Sequence, residues 1–207
     1  DIGIEGESIV RIERGLGEVS RHESQNVEIY DARGKYVFPG AIDVHTHFEM
    51  PLPTTTVCDN FASGTVAAAC GGVTTIIDFA NQAKGESLGK TLRDWREKAS
   101  GNAVVDYSFH MTITDARPEV LEEIPWLRDQ GISSLKVLMA YKGTNMQSDY
   151  SIYQILRRAV QEDLLVLGHC ENGDVIDARQ KALLAEGKAS PIWHLHSRPP
   201  ILEGEAT

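Results

Sequence analysis

The run Asp43-Val44-His45-Thr46-His47 offers the first residues that could do chemistry. Residues two apart on a strand point to one face, so His45 and His47 project together. Two imidazoles side by side at a strand end can chelate a divalent ion; the plainer reading is an edge strand finished by two polar residues. His169 closes a second apolar run, Leu164 to Gly168. Alone it fits a hydrogen-bonded structural histidine equally well, and its weight comes from agreeing in location with His45 and His47. Lys136 is the odd residue, set inside Ser133-Ser134-Leu135-Lys136-Val137-Leu138-Met139. Leu135, Val137 and Met139 share one face of that strand, which turns Lys136 to the other. An unpaired ammonium there is costly, and burial lowers a lysine pKa by up to several units. A neutral amine can add carbon dioxide to give a carbamate whose two oxygens bridge two metal ions. It can instead form a Schiff base, or the lysine can pair with a buried carboxylate. Chemistry alone leaves the three level.

These residues need elements to hold them. From Pro39-Gly40 onward five apolar, β-branched runs follow one another: residues 41–48, 73–79, 106–111, 133–139 and 164–169. Helical periodicity lies between them. Ile152, Ile155, Leu156, Ala159 and Val160 fall on one helix face. Pro118 sits where a first-turn proline is tolerated, with Pro125 a kink behind it, and Gly71 and Gly131 sit where a left-handed cap is common. Residues 174–186 carry a further helical pattern. Strand alternating with helix means a parallel sheet built from crossover units. No glycine-rich phosphate loop follows the first strand, which removes the main support for a dinucleotide fold. Chemistry-bearing residues at several strand ends fit a barrel. The expected fold class is therefore α/β, a (β/α)8 TIM-like barrel with about its first five β/α units present over residues 41–207. A small β region, part of a β-sandwich-like domain, is expected over residues 1–40, with strands at Ile2–Ile4, Ser8–Ile12 and Val27–Tyr30.

Composition excludes other classes. The 207 residues are 42% hydrophobic and 24% charged, with a formal charge of −10. That balance suits a soluble globular protein and argues against nucleic acid, which needs clustered Lys and Arg. No apolar stretch approaches the roughly 18 residues of a membrane span. Cys58, Cys70 and Cys170 are odd in number and scattered, so a reducing, cytoplasmic setting is expected rather than a disulfide framework. The sequence starts without Met and carries no signal peptide, and an eight-unit barrel needs about 250 residues. The chain is therefore expected to be an N-terminal portion of something longer.

The segment from Gly34 to His47, with Phe38-Pro39-Gly40-Ala41-Ile42-Asp43-Val44-His45-Thr46-His47 at its end, resembles the opening motif of the amidohydrolase superfamily. Gly72 to Phe79, Leu135-Lys136-Val137-Leu138-Met139-Ala140-Tyr141-Lys142-Gly143, His169-Cys170-Glu171-Asn172 and Ser197-Arg198-Pro199-Pro200 resemble its dihydropyrimidinase/hydantoinase branch. The resemblance runs nearly end to end. It implies an enzyme that opens cyclic amides and imides, hydantoins and dihydropyrimidines, to N-carbamoyl amino acids by a hydroxide held between two divalent ions, zinc being the expected metal. It makes His45 and His47 the ligands of the more buried metal. Lys136, as N6-carboxylysine formed with CO2, becomes the bridge, and His169 a ligand of the second metal. Tyr141 becomes the hydroxyl that stabilises the oxyanion. The substrate-pocket loops follow the first and fourth barrel strands, where this chain has Leu52, Leu138 and Asn145. A homotetramer is likewise implied.

Two parts of the implied site are missing: one further histidine ligand and an aspartate that shuttles the proton, both expected beyond Thr207. His194 and His196 repeat the i, i+2 spacing but are read as loop residues, since no strand precedes them. His110, ending the third barrel strand, is read as a structural hydrogen-bonding histidine, and His22 has no supporting context. An allantoinase- or dihydroorotase-like hydrolase, and a non-catalytic scaffold relative, stay open as alternatives. Tyr141 in its Met-Ala-Tyr-Lys setting favours the dihydropyrimidinase branch over the first, and the intact His45, His47, Lys136 and His169 speak against the second.

Overall fold

The computed structural model describes residues 1–16 and 27–207, and His22 lies outside the described residues. The chain divides into two compact units, Asp1–Pro39 and Gly40–Thr207. In the first, β1 (Ile2–Glu5) and β2 (Ser8–Ile12) form an antiparallel pair turned at Gly6, with a bulge between Gly3 and Ile4. The expected strand at Val27–Tyr30 does not form. Its hydrophobic residues alternate as a strand would, but no described strand offers them a ladder, and Tyr30 lies exposed. Alternation without a partner leaves the backbone groups to water, and the segment stays irregular.

The second unit is a five-stranded parallel sheet in sequential order, β3 (Ala41–Thr46), β4 (Val73–Asn81), β5 (Asp106–Thr112), β6 (Ser134–Leu138) and β7 (Leu165–His169). Each strand coincides with one of the five apolar runs within two residues. The crossovers are α1 (Phe61–Cys70), α2 (Leu88–Ala99), the pair α3 (Pro118–Glu122) and α4 (Ile124–Asp129), and α5 (Asp149–Gln161); α6 (Gly173–Ala185) follows β7. Pro118 stands at the start of α3, and Pro125 marks the break into α4, as its ring and missing N–H require. Asn60, Ser87, Ser148 and Asn172 cap α1, α2, α5 and α6 by accepting from backbone N–H groups. After α1 the left-handed residue is Gly72 rather than Gly71, whereas Gly131 is left-handed as expected.

Two faces of the sheet do different work. The outer face packs Ile76, Ala80, Phe109, Met111, Leu135 and Val137 against Leu88, Leu92, Trp95, Leu127 and Ile155 of the helices. Each Ile, Leu, Val, Phe or Met side chain among them contributes roughly 1.5–3 kcal/mol on burial, so this layer holds the unit together. On the other face the register lines up different residues. Phe79 pairs with His110, Thr112 with Lys136, and Leu138 with His169. Parallel register partners point the same way, so one surface carries Phe79, His110, Thr112, Lys136 and His169. Ser134, two residues before Lys136, belongs to it as well, since its hydroxyl meets His110. None of the described helices is long and apolar enough to cross a membrane.

Candidate metal centre

Phe79 is the floor on which the first group of polar side chains is built. It is buried, yet it stands apart from the outer hydrophobic layer. The His45, His47 and His110 rings lie 4.6, 4.8 and 4.8 Å from its ring centre, and the Lys136 Nζ 5.6 Å from it. The His45 and His47 rings are 5.2 Å apart, edge to face. The i, i+2 spacing thus delivers both imidazoles to the face that also carries Lys136.

Asp78 fixes that strand end. Its side chain is fully buried and accepts from Thr46 Oγ1 at 3.1 Å and from the Phe48 N–H at 2.8 Å, the residues that flank His47. It also accepts from the Phe79 N–H at 2.7 Å. Burial pushes this carboxyl up to about 6, against the opposing pull of the Phe48, Thr46 and Phe79 hydrogen bonds. His110, as expected, is structural: Nδ1 meets Ser134 Oγ at 2.5 Å and Nε2 the Val44 carbonyl at 2.9 Å. It therefore ties β5 to both β6 and the strand that bears His45.

The electrostatics of the group disfavour positive charge. Burial lowers the His47 pKa, and the neighbouring charges of His45 and Lys136 lower it further. Burial likewise depresses His110, with its bond to Val44 opposing and His45 and Lys136 adding to the fall. Lys136 is lowered by burial, with Cys170 pulling the other way. Neutral imidazoles and a neutral amine are what metal binding and carbamate formation require. His47 Nδ1 is buried without a hydrogen-bond partner, and so is the hydroxyl of Thr112, the register partner of Lys136. These donors fit a divalent ion. Among the described residues, though, no three His, Cys, Asp or Glu side chains converge on one point. Of the expected ligands, His45, His47 and Lys136 share the Phe79 floor, whereas His169 packs on Tyr141 in a separate group.

A second group forms around His169 at the end of β7. Its ring packs on Tyr141 at 5.2 Å, and its Nε2 lies 2.7 Å from Glu171 Oε2. The Met139 N–H donates to the His169 carbonyl at 3.0 Å, which joins the β7 end to the loop bearing Tyr141. Tyr141 has a left-handed backbone, φ 66°, a conformation a non-glycine residue rarely adopts. Its carbonyl accepts from the Thr144 and Met146 N–H groups and from Thr144 Oγ1, so the loop closes on it. Strain at a side chain held over a site marks a functional candidate. The α6 N-terminus sits directly behind. A Cβ on Gly173 would lie 2.6 Å from the Met139 carbonyl oxygen and 2.8 Å from the Met146 sulfur, so only glycine allows that approach.

The structure keeps the remaining expected residues apart. Leu52 stands exposed on a small hairpin bridged between Pro51 and Thr56; Leu138 is half-buried at the end of β6, and Asn145 is exposed in the Tyr141 loop. His194 and His196 correct the loop reading, because they lie in α7 (Ile192–Ser197), which leads through Pro199-Pro200 to α8 (Ile201–Ala206). At 3.6 residues per turn, neighbours two apart on a helix diverge by about 200°, so they cannot chelate as His45 and His47 can. Sequence reasoning passed over Phe79, Asp78, Glu171 and Arg198. All four lie within motifs that carry the resemblance, which was the only signal for them.

Comparison with known proteins agrees with this geometry. The chain is 48% identical to a D-hydantoinase of Geobacillus stearothermophilus over its whole length and 43% of the relative's. It is 40% identical to the dihydropyrimidinase of Rattus norvegicus over 89% of this chain and 36% of that one. The crystal structure of a dihydropyrimidinase from Brevibacillus agri superposes with a TM-score of 0.93 at 47% identity, covering 99% of this chain and 43% of that one. The chain thus spans less than half the length of the relatives it matches, and its five-stranded sheet corresponds to part of their barrel. The profile of the Amidohydrolase family matches residues 36–190, three-quarters of the sequence and all five parallel strands; the chain belongs to that family.

Proposed function

We propose that this chain forms part of a metal-dependent cyclic amidohydrolase that opens hydantoins and dihydropyrimidines to N-carbamoyl amino acids. The observation that carries the reading is Lys136, held beside His45 and His47 on one buried aromatic floor with its pKa depressed by burial. The names of the relatives support the substrate class.

His45 and His47 would hold one divalent ion and His169 would contribute to a second, zinc being the proposed metal. Lys136, as its carbamate, would supply oxygen ligands. The neutral amine adds to CO2, forming the N–C bond of N6-carboxylysine and releasing one proton. When bound, such an ion pair supplies Lewis acidity and a water acidic enough to react near neutral pH. The chain's own residues orient and respond. Tyr141 donates its hydroxyl to the ring carbonyl oxygen as negative charge develops there, an electrostatic contribution that is often large. Its strained backbone and the Thr144 and Met146 hydrogen bonds hold the ring in place. The oxygen of a water bonds to that carbonyl carbon, the ring C–N bond breaks, and the proton given up by the water passes to the leaving nitrogen, a task the family resemblance gives to an aspartate outside this chain. Leu52, Leu138 and Asn145 line the pocket for the exocyclic substituent. A homotetramer in the cytoplasm completes the proposal; three free cysteines agree with a reducing compartment.

The test uses the full-length protein, with hydantoin, dihydrouracil and allantoin assayed side by side. Ring opening of the first two, lost together with bound metal in Lys136→Ala, is the expected result. Metal and activity both retained in that variant would refute it, and turnover of allantoin alone would favour a different branch of the family.

A further inference from the structure

Glu171 has been given no chemical role so far, yet its carboxylate is largely buried and held from both oxygens. The side chain is 17% exposed. Its Oε2 lies 2.7 Å from His169 Nε2, and its Oε1 lies 3.6 Å from the Nε of Arg198, itself only 15% exposed. Arg198 is anchored in turn. Its guanidinium stands 5.9 Å from the Tyr141 ring, and the neighbouring Ser197 is buried, donating its hydroxyl to the His194 carbonyl at 2.7 Å. The residue after Glu171 is fixed as well: Asn172 caps α6, donates its backbone N–H to the Leu202 carbonyl, and donates its side-chain amide to Glu205. Both oxygens of Glu171 are therefore committed within the protein, and its backbone has little freedom to swing.

A carboxylate accepts and does not donate, so the 2.7 Å contact requires the proton of His169 on Nε2. That leaves Nδ1 with the lone pair. We infer that Glu171 is a positioning residue: it fixes the tautomer and ring orientation of His169 so that Nδ1 faces a divalent ion, with Arg198 as the brace behind it. This inference rests on the metal-site reading proposed above. Histidines that bind metals commonly donate their other N–H to a carboxylate, and loss of that partner typically costs about 10–100-fold in metal affinity. Glu171 also has a distinct reach. Aspartate keeps the charge but is one methylene shorter, so it forfeits the Nε2 contact; glutamine keeps the length and a carbonyl acceptor while losing the charge.

The experiment measures divalent-ion stoichiometry and affinity by zinc competition against a chelator, and the visible absorption of the cobalt-substituted protein, on full-length holoenzyme. Glu171→Ala and Glu171→Asp should weaken one of two bound equivalents by about 10–100-fold and alter the cobalt spectrum. The other equivalent should be unchanged, and Glu171→Gln should stay within about threefold of wild type. A merely structural role would change the melting temperature without removing one ion selectively. If Glu171→Ala fails to fold, the Asp and Gln variants decide. Wild-type affinity for both ions in Glu171→Asp overturns the inference, and so does an equal loss in Asp and Gln, because the effect then does not follow the hydrogen bond. A wild-type protein that binds no divalent ion overturns the metal-site reading and this inference with it. Two ions bound normally, with no response at Glu171, overturns the inference alone.

Discussion

Asp78 gives the most quantitative handle on how the fold holds its site. The carboxyl is fully buried, and burial raises it from the ordinary 3.8 to about 6. At about 1.36 kcal/mol per pKa unit, ionising it in the folded state costs ~3 kcal/mol more than in the unfolded chain. The sign follows from which state lets go of the proton first. Below about pH 4 both states are protonated and the contribution is intact. As pH rises the unfolded chain releases its proton while the folded one still holds it, so stability drains away up to about pH 6 and is flat above. Asp78→Asn removes this titration. The amide keeps one acceptor oxygen for the Phe48 N–H or Thr46 hydroxyl but presents an NH2 to the other donors, so the variant is expected to be less stable at low pH. Each hydrogen bond lost there contributes about 1 kcal/mol. Urea unfolding of metal-free full-length protein, at half-unit steps from pH 4 to 7, provides the assay. The wild-type minus variant difference should fall by about 2–2.5 kcal/mol across that range, since every other titrating group is common to both proteins. Parallel curves, agreeing within roughly half a kcal/mol at all pH values, would refute the reasoning.

Other substitutions test the remaining supports. Tyr141→Phe should retain bound metal and lower kcat by about 10²–10³-fold, the usual cost of one oxyanion donor; an unchanged kcat would remove Tyr141 from the chemistry. Gly173→Ala places a methyl against the Met139 carbonyl and the Met146 sulfur, so the Tyr141 loop must move. Thermal unfolding should show a loss of about 1–3 kcal/mol, and kcat should fall with it. His110→Leu leaves Ser134 Oγ and the Val44 carbonyl without their partner. Stability should drop by about 1–3 kcal/mol for each group stranded, while metal stoichiometry measured by elemental analysis stays at the wild-type value.

The parallel unit was legible because its signal is local and doubled. Each strand is an apolar β-branched run, the α5 crossover carries helical periodicity, and a proline stands at the start of α3. The face presented by Lys136 followed from alternation alone, and His45 with His47 from the period of two. The first unit was less legible. Val27–Tyr30 has the alternation of a strand, but a strand is made by a partner, and periodicity says nothing about one. His194 and His196 show the converse, since the same spacing means convergence on a strand and divergence on a helix. Asp78, Phe79, Glu171 and Arg198 could not be placed from sequence. Their roles depend on register between strands 30 or more residues apart, or on a chain reversal such as the one through α7 that returns Arg198 to Glu171.

The proposed function depends on conversion of the Lys136 amine to a carbamate. Carbon-13 NMR of the full-length holoenzyme, prepared in 13C-bicarbonate, measures this directly. A carbamate resonance present in the wild type and absent from Lys136→Ala is the predicted result. A protein carrying its full complement of divalent ions, with Lys136 unmodified and no such resonance, would contradict it.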